Sequence, residues 1–142
     1  MNIFSNKNKP ILHIIVGLGD GGAEATLYKL IINDKKNKHI VISLSNYGRY
    51  GMSLEKNSIP VYCLNFKKNR LNFIGIFNVL KIFFKTKPKL VQSWMYHADF
   101  ITFFIKFFSP NTKIIWCIRN STYPFKDSKI RFIISKFCSL MS

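Results

Sequence analysis

Residues 11–32, ILHIIVGLGDGGAEATLYKLII, decide the fold. The run 11–18 is short, apolar and rich in β-branched side chains, as a strand buried on both faces should be. From residue 23 the period changes. Over 23–33, Ala23, Leu27, Leu30 and Ile31 fall on one helical face, and Glu24 lies in the first turn, where a negative charge suits the helix dipole. Between strand and helix lie Gly17, Gly19, Gly21 and Gly22. Glycines so dense at a strand-to-helix turn have two readings: a tight turn into a close-packed helix, or a backbone that a ligand approaches with no Cβ in the way.

The alternation continues along the chain. Runs 39–45 (HIVISLS), 60–66 (PVYCLNF), 89–94 (KLVQSW) and 113–119 (KIIWCIR) predict four more strands, with a short helix between the second and third. Residues 72–86 carry Phe73, Ile76, Phe77, Leu80 and Phe84 at helical spacing and stop before Pro88, which disfavours helical geometry at Lys87. Over 96–108, Phe100, Phe103, Phe104 and Phe107 recur at i, i+3, i+4, i+7 beside Ile101, Ile105 and Phe108. That pattern predicts a helix apolar around most of its girth, hence buried. Residues 125–142 repeat the helical spacing with Ile130, Ile133, Ile134, Phe137 and Leu140. Strands alternating with helices specify an α/β fold, a Rossmann-like doubly wound parallel sheet. The sequence reaches Ser142 inside the last of these helices with no closing strand, which reads as the front half of a larger protein.

The chain has 142 residues, 48% of them hydrophobic, enough for one core. Its 22 Lys and Arg against 6 Asp and Glu give a formal charge of +16. That charge favours anionic partners: nucleic acid, anionic lipid or a phosphorylated substrate. The lysines are scattered between predicted elements, as on a solvated surface, so charge alone selects no partner. Nucleic acid fits least, because the phenylalanines follow buried spacing and arginine occurs only at Arg49, Arg70, Arg119 and Arg131. Cys63, Cys117 and Cys138 are odd in number and widely spaced, which indicates neither a disulfide framework nor a zinc site and suits a reducing cytoplasm. No cleavable signal precedes the first strand. Lys81, Lys85, Asp99 and Lys106 break the apolar stretches before the ~18 uncharged residues a membrane span requires. The expected location is cytoplasmic. Lys126, Lys129, Arg131 and Lys136 flank the apolar face of the last helix, which suits either peripheral contact with the inner membrane face or packing on the sheet or a further domain.

In an open α/β sheet, ligands bind at the carboxyl ends of the strands, and the first strand-to-helix turn is the usual phosphate site. A helix start offers free N–H groups and the positive end of the dipole, so the glycine loop is suited to a phosphate or diphosphate. Gly17, Gly19 and Gly22 satisfy G-x-G-x-x-G, yet a dinucleotide site also needs an acidic residue at the end of the second strand. Ser45 and Asn46 stand there, with Arg49 the one candidate for a 2′-phosphate. The lysine-bearing P-loop pattern is absent. A second polar cluster, Gln92, Ser93, Trp94, Tyr96, His97 and Asp99, stands at the end of the fourth strand. Arg119, Asn120, Ser121 and Thr122 follow the fifth, on the same expected edge.

The segments GLGDGGAEATLYKL, VQSWMYHADFI and IIWCIRNS, in this order and spacing, resemble the N-terminal domain of family 4 glycosyltransferases. MSLEKNSIPVYCLNF extends the likeness over nearly the whole chain. The resemblance implies a GT-B enzyme with two Rossmann-like domains facing across a cleft. Such an enzyme transfers a sugar from a nucleotide-sugar donor with retention of configuration, using neither a cofactor nor a catalytic metal. The acceptor it implies is lipid-linked or a polysaccharide precursor of surface polysaccharide or glycolipid synthesis. Carried over by residue, Gly21 and Gly22 approach the donor diphosphate, His97 lines the transferred sugar as the catalytic-centre residue, and Arg119, Asn120 and Ser121 shape the acceptor side. The family's second domain, with its E-x7-E motif and most donor contacts, has no counterpart in these residues, so this half alone is expected to transfer little sugar. The rival reading is a non-catalytic Rossmann-like binding module for nucleotide or nucleic acid, or a vestigial half-gene product.

Overall fold

A computed structural model describes residues 9–66 and 73–117. Five strands, β1 (Ile11–Ile15), β2 (His39–Ser43), β3 (Val61–Cys63), β4 (Leu90–Trp94) and β5 (Ile114–Cys117), form one sheet in the order β3-β2-β1-β4-β5, and every pairing is parallel. Helices α1 (Gly22–Asn33), α2 (Gly48–Lys56), α3 (Phe73–Thr86) and α4 (Tyr96–Phe108) connect them. This is the expected Rossmann-like doubly wound fold. The expected helix 125–142 lies outside the described residues.

Side chains alternate across a strand, so β1 feeds two cores. Leu12 and Ile14 join Ile42, Leu44 and Val91 beneath Ile76, Val79, Phe83, Ala98, Ile101 and Ile105 of α3 and α4. Ile15 joins Val41 and Trp94 beneath Leu27 and Ile31 of α1 and Leu54 of α2. Each fully buried Leu or Ile contributes about 1.5–3 kcal/mol. The short strands β3 and β5 are the sheet edges, where exposed length is a liability.

Three expected helix faces are corrected. On α1, Leu27 and Ile31 are buried but Leu30 is exposed. On α3 the inward side chains are Gly75, Ile76, Val79 and Phe83, while Phe73, Phe77 and Phe84 point outward. The reason is Gly75: a Cβ there would overlap the Phe66 ring, so the glycine seats the helix on Phe66 and turns the phenylalanine ridge away from the sheet. On α4, Ala98, Asp99, Ile101, Thr102 and Ile105 face inward, whereas Phe107 and Phe108 are exposed. Two polar anchors set that face. Ser93 Oγ donates to Asp99 Oδ1 at 2.5 Å, and Trp116 Nε1 donates to Thr102 Oγ1 at 3.0 Å. The helix ends follow the chain chemistry: α3 stops before Lys87, whose φ of 43° leaves the helical region ahead of Pro88.

Candidate functional site

The strand order reverses between β1 and β4: the chain winds from β1 outward to β3, then crosses to β4 on the other side. At such a switch point the loops after the two strands part and leave a crevice at the carboxyl edge. Ile15 and Trp94 are paired at that edge. The glycine loop leaves β1 and the Met95 turn leaves β4, so topology brings Gly21 and Gly22 at the start of α1 to the same crevice as His97 at the start of α4. His97 is exposed and Gly22 is exposed. Arg119, Asn120 and Ser121 lie outside the described residues.

The loop is held from the side by the end of β2. Leu44 N–H donates to Ile15 O and Ser45 N–H to Val16 O, Ser45 Oγ donates to Val16 O at 2.6 Å, and Leu18 N–H donates to Asn46 Oδ1 at 3.0 Å. Tyr50 N–H then donates to Leu18 O at 3.0 Å. Ser45 and Asn46 thus clamp the loop at the position where a dinucleotide site would carry its acidic residue. Arg49 Nη1 sits 3.8 Å from Asp20 Oδ1, an exposed pair.

This clamp sorts the glycines. A Cβ on Gly17 would meet Ser45 Oγ at 2.9 Å and Asn46 Nδ2 at 3.0 Å, so Gly17 serves the contact with β2. A Cβ on Gly21 would overlap the Glu24 carboxylate, which folds back over the helix start. Gly19 and Gly22 are different: a Cβ on either meets nothing within 4 Å. Protein packing does not require glycine there, and both face open space. Gly48 is a further loop determinant that carries no clear signal in the sequence: it sits at φ 50°, and a Cβ there would overlap the Leu18 carbonyl.

Helix α1 begins at N-cap Gly21 with no side-chain cap, and Ala25 is the first residue whose N–H returns to it, at 3.1 Å to Gly21 O. The preceding N–H groups are those of Gly22, Ala23 and Glu24, the orphan donors of a helix start. On the other wall, Met95 is N-cap of α4 with φ 75° and ψ 153°, also without a side-chain cap. That region is essentially reserved for glycine and costs about 1–3 kcal/mol for a methionine. Strain is therefore stored in the turn that presents His97.

The second polar cluster is corrected in part. Trp94 is buried, Gln92 Nε2 donates to Cys117 Sγ at 3.0 Å, and Ser93 and Asp99 bond each other inside. Only Tyr96 and His97 of that cluster remain at the rim. Asp99 Oδ2 is buried without a hydrogen-bond partner, and burial pushes the carboxyl up to about 6, against the Ser93 hydrogen bond that lowers it. Its folded value lies above the unfolded one, so its contribution is most favourable below about pH 4 and is lost as pH rises through 6. Asp99→Asn is expected to raise stability at pH 7.5 by about 2 kcal/mol and by much less at pH 4. Urea unfolding at the two pH values checks this; an equal gain at both removes the ionisation argument.

A cavity of about 420 Å³ opens at the opposite, amino edge of the sheet, lined by Pro10, Asn37, Lys38, His39, Ile59 and Pro60 among others. It has no part in the switch-point crevice. Among the described residues no three His, Cys, Asp or Glu side chains gather as a metal site would need, and no helix is long and apolar enough to cross a membrane. No protein-family model matches the chain, and comparison with curated proteins gives no match either.

Proposed function

We propose that this chain is the acceptor-side domain of a retaining GT-B glycosyltransferase. The reaction moves a sugar from a nucleotide-sugar donor to a lipid-linked or polysaccharide acceptor, in surface polysaccharide or glycolipid synthesis. The observation that carries the reading is the pair Gly19 and Gly22, glycines at the switch point that face open space and that no protein contact requires. Strain at Met95 on the facing wall supports it, because such outliers concentrate where geometry serves a ligand.

On this reading the N–H groups at Gly21 and Gly22 receive the donor diphosphate, and the Glu24 carboxylate folded over Gly21 in the free chain swings out as phosphate enters. The charge that grows on the departing diphosphate is then met by fixed dipoles that need no reorganisation. His97 lines the sugar, whose reacting carbon gains oxocarbenium character. Arg119, Asn120 and Ser121 shape the acceptor side. Most donor contacts belong to a second domain across the cleft, so nucleotide binding by this half is weak and open to water.

Gly22→Val tests the assignment without disturbing the fold. Its Cβ meets nothing within 4 Å and the position is exposed, so the thermal midpoint should stay within roughly 4 °C of the parent. Binding of nucleoside-diphosphate sugars, followed by saturation-transfer NMR, should weaken by about tenfold or more, as expected when a side chain blocks an anion at a helix start. Undiminished binding by the variant contradicts the role given to the loop.

A further inference from the structure

The outward ridge of α3 is apolar in a way the core does not use. At 100° per residue, Phe73, Phe77 and Phe84 fall within roughly 40° of one another, well away from the inward arc of Ile76, Val79 and Phe83. They are 76%, 67% and 49% exposed. Helix α4, packed beside α3, adds exposed Phe107 and Phe108 at its carboxyl end. Lysines border the ridge: Lys81 and Lys85 are exposed on its flank.

Charge on this side of the sheet is unmixed. Asp20, Glu24, Asp34 and Glu55 all belong to the half carrying α1 and α2, and from Lys56 to Lys126 the sequence holds one carboxylate, Asp99, which is buried. The α3–α4 face therefore presents phenylalanine and lysine with no exposed carboxylate among the described residues. A covering partner must offer apolar surface and negative charge together. A second copy of the chain fails that requirement, since each copy carries +16. Residues 118–142 fail it too, with Arg119, Lys126, Lys129, Arg131 and Lys136 against Asp127 alone. Nucleic acid supplies the charge, but its binders use concave grooves with arginine, and this ridge is a convex helix surface without it.

We propose that the α3 ridge, with the adjoining end of α4, is a peripheral docking surface for a membrane rich in anionic phospholipid. The phenylalanines enter the boundary between headgroups and acyl chains while the lysine stems lie along it and their ammonium groups reach the phosphates. This places membrane contact on α3, whatever the last helix does, and it stands independently of the transfer reaction proposed above.

The test places a photoreactive benzoylphenylalanine at position 77 of the full chain and irradiates it with vesicles of 30% phosphatidylglycerol in phosphatidylcholine, with the adduct identified by mass. The expected product is a lipid adduct, suppressed by high salt through screening. In parallel, Phe77→Ser with Phe84→Ser should lower partition onto these vesicles by about tenfold or more, with the urea midpoint kept, as loss of two exposed aromatic anchors requires. A crosslink to residues 118–142, to a second copy or to added single-stranded DNA overturns the proposal, as does vesicle binding that ignores the double substitution.

Discussion

Adding a single methyl group at Gly48 is expected to destabilise the fold by about 3 kcal/mol or more. Two costs coincide there. A φ of 50° is left-handed backbone that side chains other than glycine adopt at a penalty, and the new Cβ would overlap the Leu18 carbonyl and stand 2.7 Å from Gly19 N. Those neighbours are backbone atoms held by the clamp from β2, so no rotamer change makes room. Gly22→Ala is the matched control. It adds the same methyl at a helix start where nothing lies within 4 Å, and it should stabilise by about 0.5–1 kcal/mol through lost backbone freedom in the unfolded chain. Urea unfolding of the two variants therefore gives opposite signs. Equal and small effects at both sites contradict the close approach of Gly48 to the Leu18 carbonyl.

The second large effect is acid lability centred on His13. Trp94 Nε1 donates to His13 Nδ1 at 3.5 Å, and as an indole it is donor only, which places the His13 proton on Nε2. That N–H faces His39 Nδ1 at 3.0 Å, which leaves His39 with its proton on Nε2, 3.3 Å from Asp34 Oδ2. The Asp34 contact is electrostatic and falls short of a hydrogen bond. Burial lowers the His13 imidazole to about 3, with the His39 charge acting in the same direction. Burial lowers His39 as well, opposed by Asp34. The unfolded chain therefore binds protons that the folded chain refuses. Stability is fully present above about pH 6.5 and falls as pH drops toward 3, by about 1.4 kcal/mol per pH unit from His13.

Asp99 acts with the opposite sign between pH 6 and 4, where its raised value makes the folded state the better proton binder. The net acid slope in that interval is thus shallower than the histidines alone would give, and Asp99→Asn should steepen it. His13→Leu should flatten it. Asp34, lowered first by its hydrogen bond from Asn37, adds further loss only below the ordinary carboxylate range. Urea unfolding from pH 8 to 4 for parent and both variants checks all three signs. A parent whose stability does not change across that range contradicts the buried neutral pair.

The sequence made the element order legible because each strand is a short β-branched run and each helix has a clear period. The start of α4 at Tyr96 and the stop of α3 before Pro88 agree with their local signals. The pattern predicts a third strand over 60–66, but the strand is Val61–Cys63, since Asn65 at φ 51° takes the chain out of strand geometry. Helix faces were the less legible part. Where a helix is apolar around most of its girth, period no longer chooses the inward side, and single contacts decide: Gly75 on Phe66, Thr102 with Trp116, Asp99 with Ser93. His13 and His39 are 26 residues apart and meet only through strand pairing. Gly48 carries a faint signal, a glycine after Asn46-Tyr47 at a helix start, but its need for close approach to Leu18 exists only once β1 and β2 are paired. At the carboxyl edge of the sheet, the placement of the glycine cluster and of His97 was legible from the sequence, whereas the burial of Ser93, Trp94 and Asp99 was not.

The proposed role of the crevice between the starts of α1 and α4 is to receive a phosphate-bearing ligand. The most direct measurement is an amide chemical-shift map of the ¹⁵N-labelled chain during titration with UDP, GDP and ADP and their sugar conjugates. The largest shifts are expected at Gly19, Gly21, Gly22 and His97, with the sugar conjugate extending the perturbation at His97. An unchanged spectrum at millimolar ligand, or shifts centred on His39 and Ile59 at the amino edge of the sheet, contradicts it.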